Sequence, residues 1–183
     1  MKPMTKSISW RSKTMEKYRF GTFKIDHTRL NRGIYRSVID VDRDIDIITI
    51  DIRTCIPYVD KPMSNMVMHS VEHILATELQ KDKRLWKIYF GPMGCQTGFY
   101  YVIKKPHDEE LSPRILGEVL QDACYQDTGV LKVPFNTQQE CGNNRTLAKD
   151  EADIEQVVEI LDRISQMAEY LIKNNEFNEY NYL

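Results

Sequence analysis

Ile45-Asp-Ile-Ile-Thr-Ile-Asp-Ile-Arg-Thr-Cys55 is the stretch of this sequence that decides the fold. β-Branched residues dominate it, and apolar and polar side chains alternate along part of it, which is typical of a strand. Residues 33–41 have a similar composition, and Asp42-Arg43-Asp44 is a polar turn signal between the two segments. The sequence therefore predicts two consecutive strands joined by a short turn.

The rest of the chain mixes short strands with helices. Further strands are predicted at 18–25, 86–90 and 97–104, and a tight turn is predicted at 91–94. Helices are predicted at 66–80, from Ser112-Pro113 to about 126, and at 149–173, where apolar residues recur every three or four positions. This order of elements indicates the α+β class, with an antiparallel sheet packed on helices.

Length and composition point to one domain with short extensions. The chain has 183 residues, so we expect a flexible basic extension at 1–17, a single catalytic domain at 18–175 and a frayed polar tail at 176–183. A net charge of −2 gives no electrostatic reason to expect binding to nucleic acid. No apolar run is long enough for a membrane span. Four scattered cysteines without a CxxC pair suggest a reducing compartment, so we expect a cytoplasmic protein.

The stretch His69-Ser-Val-Glu-His73 carries the first chemical signal. On a helix, residues three and four apart share a face, so His69, Glu72 and His73 are expected to lie together. Two imidazoles at this spacing can chelate one divalent metal, with Glu72 placed for proton transfer beside it. This is the H-x-x-E-H pattern of inverted zinc peptidases; the alternative is a chance pair of surface histidines.

A catalytic metal site also needs a third protein ligand and an open position. A cysteine, a carboxylate or His107 would serve, and Cys141 is the best candidate because it lies in an irregular segment before Gly142. Two nitrogens and a thiolate suit Zn²⁺ or Fe²⁺. Cys95 follows the Gly-Pro-Met-Gly turn, where it is either an exposed reactive thiol or a small packed residue.

Several motifs together resemble one family. His69-Ser-Val-Glu-His73, Gly91-Pro-Met-Gly-Cys95-Gln-Thr-Gly-Phe-Tyr100 and Gln139-Glu-Cys141-Gly142 are similar, in that order, to the LuxS family of S-ribosylhomocysteine lyases. Asp26-His27-Thr28-Arg29 and Asp51-Ile52-Arg53 match two further family segments. The resemblance runs from about residue 20 to residue 171, and it implies a LuxS-like metalloenzyme fold for the catalytic domain.

The resemblance also implies an activity and a set of roles. It implies that S-ribosylhomocysteine is cleaved to homocysteine and 4,5-dihydroxy-2,3-pentanedione, an autoinducer precursor in quorum sensing, by two carbonyl migrations and a β-elimination. Fe²⁺ is the implied metal, with Zn²⁺ as a substitute, in a homodimer whose sites lie near the interface. The implied ligands are His69, His73 and Cys141, and the implied general acid/base residues are Cys95 and Glu72.

Arg53 is expected either to stabilise the Cys95 thiolate and anchor substrate or to form an ordinary surface ion pair. Substrate contacts are expected from Thr22, His27, Arg53 and Tyr89. Thr22 and Tyr89 differ from the family, which commonly has serine and aspartate there, and Ala148 replaces a frequent histidine. Two other functions stay open at this point: a metallohydrolase of the inverted zinc-peptidase kind, with Glu72 activating a metal-bound water, or a non-catalytic metal-binding relative.

Overall fold

The computed structural model describes residues 25–125 and 147–182. Within these ranges the chain forms four strands and three helices. The strands are β1 (Gly33–Asp42), β2 (Ile45–Arg53), β3 (Trp86–Pro92) and β4 (Gly98–Pro106). The helices are α1 (Asn65–Lys81), α2 (Pro113–Cys124) and α3 (Glu151–Asn174).

The four strands form one antiparallel sheet in the order β1-β2-β4-β3. The predicted turn between β1 and β2 is present, and Arg43 adopts a left-handed conformation with a φ of 55°. β2 is a central strand, and its last residue, Arg53, pairs with Gly98 at the start of β4. The prediction of an α+β protein with an antiparallel sheet is confirmed.

One face of the sheet packs against the helices and forms the core. From β2 this face contributes Ile48, Ile50 and Ile52, all essentially inaccessible to solvent. Since side chains alternate along a strand, Thr49, Asp51 and Arg53 belong to the opposite face. Burial of the isoleucines fixes the register of β2, and it thereby fixes which face carries Asp51 and Arg53.

The three predicted helices are present with bounds shifted by one or two residues. Each begins at a side-chain cap: Ser64 accepts from the Val67 amide, Ser112 from Ile115 and Asp150 from Asp153. Ser64 also donates to Asp153, with 3.2 Å between the oxygens, so the start of α1 is held against the start of α3. The beginning of α1 is thus fixed in the fold one turn before His69.

The expectation of a frayed tail is wrong for residues 176–182. This segment leaves α3 and hydrogen-bonds to the edge of β1, where Asn178 bridges Tyr35. Tyr182 bridges Ile25 at the other described end of the sequence. Of the strand predicted at 18–25, residues 18–24 lie outside the described ranges, as does the basic extension at 1–17.

None of the helices in the described ranges has the length and apolar character needed to cross a membrane.

Candidate functional site

The exposed side of α1 carries a cluster of potential metal ligands. One ligand atom each from His69, Glu72 and His73 lies within 4.8 Å of the others. The two imidazole ring centroids are 4.6 Å apart in an edge-on arrangement. All three residues are half-buried, while Val71 and Leu75 on the other side of α1 lie in the core. The helix therefore presents the cluster to a partly sheltered surface, as its spacing predicted.

Lys87 of β3 approaches the same side of α1, a contact that no pattern in the sequence predicts. Its Nζ donates to the Ala76 carbonyl at 2.9 Å, one turn beyond Glu72. Burial lowers the pKa of Lys87, and the nearby Glu72 carboxylate opposes that shift. The Lys87 amine thus borders the cluster on the β3 side.

Cys95 lies in the turn between β3 and β4, and that turn is fixed to two other elements. Gln96 has a left-handed φ of 63°, its carbonyl accepts from the Met63 amide at 3.0 Å, and its side-chain amide donates to Asn65 at 2.9 Å. The Thr97 carbonyl accepts from Thr54 and Cys55 just after β2. Cys95 is therefore held next to the end of β2 and the first residue of α1.

The surroundings of Cys95 favour its thiolate. Thr97 Oγ1 lies 3.0 Å from the sulfur and itself accepts from Arg53 Nη1 at 2.5 Å, so its proton is available to Cys95. Arg53 Nη1 is also 3.5 Å from the sulfur. Partial burial alone would raise the pKa of the thiol, but the Thr97 hydrogen bonds and the Arg53 charge together lower it. Because the residue is also exposed, it meets the conditions for a reactive cysteine.

Arg53 belongs to a buried pair, which excludes the alternative of an ordinary surface ion pair. Its Nη2 donates to Asp51 Oδ2 at 2.6 Å, and both side chains are no more than 3% exposed. Burial raises the pKa of the Asp51 carboxyl, and the Arg53 charge opposes that effect. Among the described residues, Asp51 Oδ1 and Arg53 Nε have no hydrogen-bond partner. The guanidinium thus links a buried carboxylate to an exposed thiol.

Asp51 and Tyr180 are members of this network that the sequence reading did not single out. The Tyr180 hydroxyl donates to Asp51 Oδ2 at 3.1 Å. The sequence contains a pattern that points to Asp51, because its position two residues before Arg53 puts both side chains on one face of a strand. No sequence pattern points to Tyr180, since its contact with Asp51 spans 129 positions of sequence.

Of the remaining predicted site residues, the structure describes His27 and Tyr89. His27 is half-buried, and its Nδ1 lies 2.9 Å from the Ile25 carbonyl oxygen. Its charge is among the effects that lower the pKa of Asp51 against the dominant effect of burial. Tyr89 is half-exposed on β3. Thr22 and Cys141 lie outside the described residues.

His107, the other histidine considered as a third ligand, lies 2.7 Å from Asp46 through Nδ1 and is not part of the α1 cluster. Ala148 is buried, and its amide donates to Ser70 Oγ at 2.8 Å. The chain therefore returns against α1 beside His69, seven positions after Cys141.

The fold and the site first define a class: an α+β protein with a helix-borne His-Glu-His cluster and a separate cysteine supported by a buried arginine. Comparison with known families narrows the class. The family model described as S-Ribosylhomocysteinase (LuxS) matches residues 20–170. The chain belongs to the LuxS family, as its motifs had indicated.

Relatives named S-ribosylhomocysteine lyase match over most of the chain. The protein of Desulfotalea psychrophila is 37% identical over 159 residues, covering 83% of this chain and 96% of that protein. That of Borreliella burgdorferi is 34% identical over 156 residues, covering 79% and 93%. That of Finegoldia magna is 32% identical over 132 residues, covering 70% and 83%.

Proposed function

We propose that this protein is an S-ribosylhomocysteine lyase, which releases homocysteine and 4,5-dihydroxy-2,3-pentanedione. The observation that carries the proposal is the presence of two kinds of group in one LuxS-family chain. His69, Glu72 and His73 lie within 4.8 Å of one another, and the nearby turn bears a cysteine whose pKa is lowered. Relatives named S-ribosylhomocysteine lyase match over 79% and 83% of the chain.

The reaction needs proton transfers at carbon beside a carbonyl group, and then the loss of a thiolate. Two successive isomerisations move the carbonyl group from one carbon to the next along the sugar chain. The β-elimination then breaks the carbon–sulfur bond, and the leaving homocysteine sulfur takes up a proton. Such steps need general acid/base groups with suitable pKa values and access to the substrate. Cys95 and Glu72 are the residues we assign to these transfers.

Arg53 has a double role in the proposal. Its charge and the Thr97 hydroxyl lower the pKa of Cys95 and so favour the thiolate, which is the form that can accept a proton from carbon. The substrate contact expected of Arg53 is also part of the proposal; its Nε, which is buried, has no partner among the described residues. The buried Asp51 fixes the guanidinium while it does both.

The donor set fits a divalent transition metal. We propose that His69, His73 and Cys141 hold Fe²⁺, with Zn²⁺ as a substitute, since imidazole and thiolate ligands suit both ions. The bound ion would supply Lewis acidity toward the substrate oxygens. The contact of Ala148 with Ser70 supports Cys141 as the third ligand, because it places the chain against α1 seven positions after Cys141.

Substrate contacts are proposed for Thr22, His27, Arg53 and Tyr89. His27 is supported by the effect of its charge on the pKa of the buried Asp51. Tyr89 projects from β3 over Gly91, where a Cβ atom would meet the tyrosine hydroxyl. A tyrosine in place of the family's common aspartate replaces a carboxylate with a bulkier, neutral group, so we expect its effect on KM rather than on the chemical step.

The wider setting follows the family. We propose the LuxS-like fold for the domain at 18–175, a homodimer with its sites near the interface, and a cytoplasmic enzyme whose product is an autoinducer precursor. The exposed Trp86, Ile88 and Tyr89 of β3 support a second copy as partner, because apolar side chains clustered on an edge strand favour association.

The test is an anaerobic assay of the Fe²⁺-loaded protein with S-ribosylhomocysteine. We expect release of homocysteine, detected with a thiol reagent, and loss of that release in Cys95→Ala. No release from a metal-loaded dimer would overturn the proposal, and peptide cleavage by the same protein would favour a metallohydrolase. Measurement of bound metal in Cys141→Ala tests the third ligand: undiminished metal would remove Cys141 from the set.

A further inference from the structure

Residues 175–182 lie beyond the matched family region, which ends at residue 170. The segment begins where α3 ends. Asn175 adopts a left-handed φ of 55°, and its amide donates to the Leu171 carbonyl. This conformation terminates the helix and turns the chain back toward β1. We define residues 175–182 as the C-terminal segment.

The C-terminal segment is attached to β1 by a close backbone approach. The Asn178 amide donates to the Ile34 carbonyl at 3.0 Å, and the Ile34 amide donates to Asn178 Oδ1 at 2.8 Å. Gly33 makes room for this, since a Cβ there would lie 2.6 Å from Asn178 Oδ1. Asn181 accepts from the Asp26 amide at 2.8 Å. The segment is therefore bonded at several points along its length.

These contacts place Tyr180 over the buried network. Its ring stacks on Tyr35, with 4.5 Å between centroids and 14° between planes. Its hydroxyl donates to Asp51 Oδ2, the same oxygen that accepts from Arg53 Nη2. Burial and the Asp51 charge raise the pKa of the Tyr180 phenol, so it stays protonated and remains a donor.

The contacts continue from Asp51 to the reactive thiol. Asp51 Oδ1 has no partner in the described part of the chain, so Tyr180 and Arg53 account for the carboxylate's side-chain hydrogen bonds there. The same guanidinium reaches Thr97 and Cys95 through Nη1. Without the Tyr180 hydroxyl, the negative charge of Asp51 is less compensated. The Arg53 guanidinium is then attracted more strongly to the carboxylate and less to the Cys95 sulfur.

We propose that Tyr180 is a positioning residue for Cys95, acting through Asp51 and Arg53. This inference rests on the proposed function, in which Cys95 transfers protons during cleavage of S-ribosylhomocysteine. A segment outside the matched family region thus supplies a hydrogen bond to the center of the acid/base network. Besides each other, Asp51 and Arg53 face five titratable groups. These are Tyr35 of β1, Tyr100 of β4, Cys95 in the turn before β4, His27 before β1 and Tyr180 of the C-terminal segment.

The test compares Tyr180→Phe with Tyr182→Phe in the metal-loaded protein. Tyr180→Phe keeps the ring that stacks on Tyr35 and removes the hydroxyl, whereas Tyr182→Phe removes an exposed hydroxyl from the same segment. The first readout is the rate of Cys95 alkylation by iodoacetamide as a function of pH, located by peptide mass spectrometry. The second is kcat and KM for S-ribosylhomocysteine.

For Tyr180→Phe we expect the alkylation profile to move to higher pH by half a unit or more, which is about a threefold slower reaction at pH 7. We expect kcat to fall by about the same factor, with KM within twofold. Tyr182→Phe should match wild type in both readouts. Asn178→Ala, which loosens the segment without touching the tyrosine, should shift the profile in the same direction by a smaller amount.

An unchanged alkylation profile in Tyr180→Phe would overturn the proposal, whatever happens to kcat. If Tyr180→Phe fails to fold, an unchanged profile in Asn178→Ala overturns it instead. If the profile shifts but neither wild type nor variant releases homocysteine, the positioning of the thiol stands and the lyase assignment fails. The alkylation readout therefore separates the two inferences.

Discussion

The α1 cluster and the Cys95 network are built in opposite ways, although both contribute to one candidate site. His69, Glu72 and His73 come from a single helix and are half-exposed, with the core on the far side of that helix. Cys95 depends on β2, on the turn before β4 and on the C-terminal segment, and its supporting pair is buried. We infer that the first group can be changed without harm to the fold, whereas the second couples chemistry to stability.

The largest expected effect is on metal binding by the α1 cluster. His73→Ala removes one of two imidazoles from a half-exposed helix face, so bound metal should fall below about a tenth of the wild-type amount. The unfolding midpoint should hardly change. Metal content is measured by atomic emission after anaerobic loading. His107→Ala is the matched control, since that histidine is 60% exposed and contacts Asp46; equal metal in the His73 and His107 variants would contradict the assignment.

The buried pair is expected to give the largest change in stability. Arg53→Met leaves the Asp51 carboxylate buried without its cation, which should cost about 3–5 kcal/mol in the free energy of unfolding. Arg32→Met is the control, because it breaks the ion pair with Asp60 at a partly exposed position and should cost about 1 kcal/mol or less. Urea unfolding measures both. Similar losses in the two variants would show that burial does not decide the cost.

A glycine substitution should affect both stability and the site, because β2 and β4 approach closely beside Arg53. A Cβ at Gly98 would lie 2.3 Å from the Ile52 carbonyl oxygen, so Gly98→Ala should destabilise the protein by about 1–3 kcal/mol. A Cβ at Gly94 meets no described atom within 4 Å, and Gly94→Ala should change stability by about 0.5 kcal/mol or less. Thermal unfolding compares them, and a Gly98 variant as stable as the Gly94 variant would refute the close approach.

The smallest expected effect is on the acidity of Cys95. Thr97→Val removes the hydroxyl that donates to the sulfur, so the pKa of the thiol should rise and less thiolate should be present at pH 7. The pH profile of iodoacetamide alkylation should move upward by about half a unit, a threefold slower reaction at pH 7. Thr97→Ser keeps the hydroxyl and should follow wild type. A downward shift or none in Thr97→Val would contradict the assigned role of that hydroxyl.

The sequence predicted those parts of the site that depend on local periodicity. The spacing of His69, Glu72 and His73 places them on one helix face whatever the rest of the fold does, and alternation along β2 likewise assigns Asp51 and Arg53 to one side of a strand. Family motifs singled out Cys95. Each of these inferences needs only the geometry of one element or one turn.

The remaining contacts are tertiary, and single-element patterns do not contain them. The polar composition of residues 176–183 favoured a frayed tail, because it shows neither periodicity nor a long apolar run. What holds this segment is hydrogen bonding to the edge of β1 and stacking of Tyr180 on Tyr35. Lys87 was missed for a similar reason, since its contact with Ala76 depends on how β3 lies beside α1.

The link between the two described ends of the sequence has a consequence for the order of folding. The Asp26 amide bonds to Asn181, and Ile25 bridges Tyr182, so these contacts join segments more than 150 positions apart. Closure of so long a loop carries a large entropic cost and follows the more local β1–β2 hairpin. During refolding, Asp51 and Arg53 should therefore stay exposed to water until Tyr180 docks. The lowered pKa of Cys95 would then be the last property of the native protein to develop.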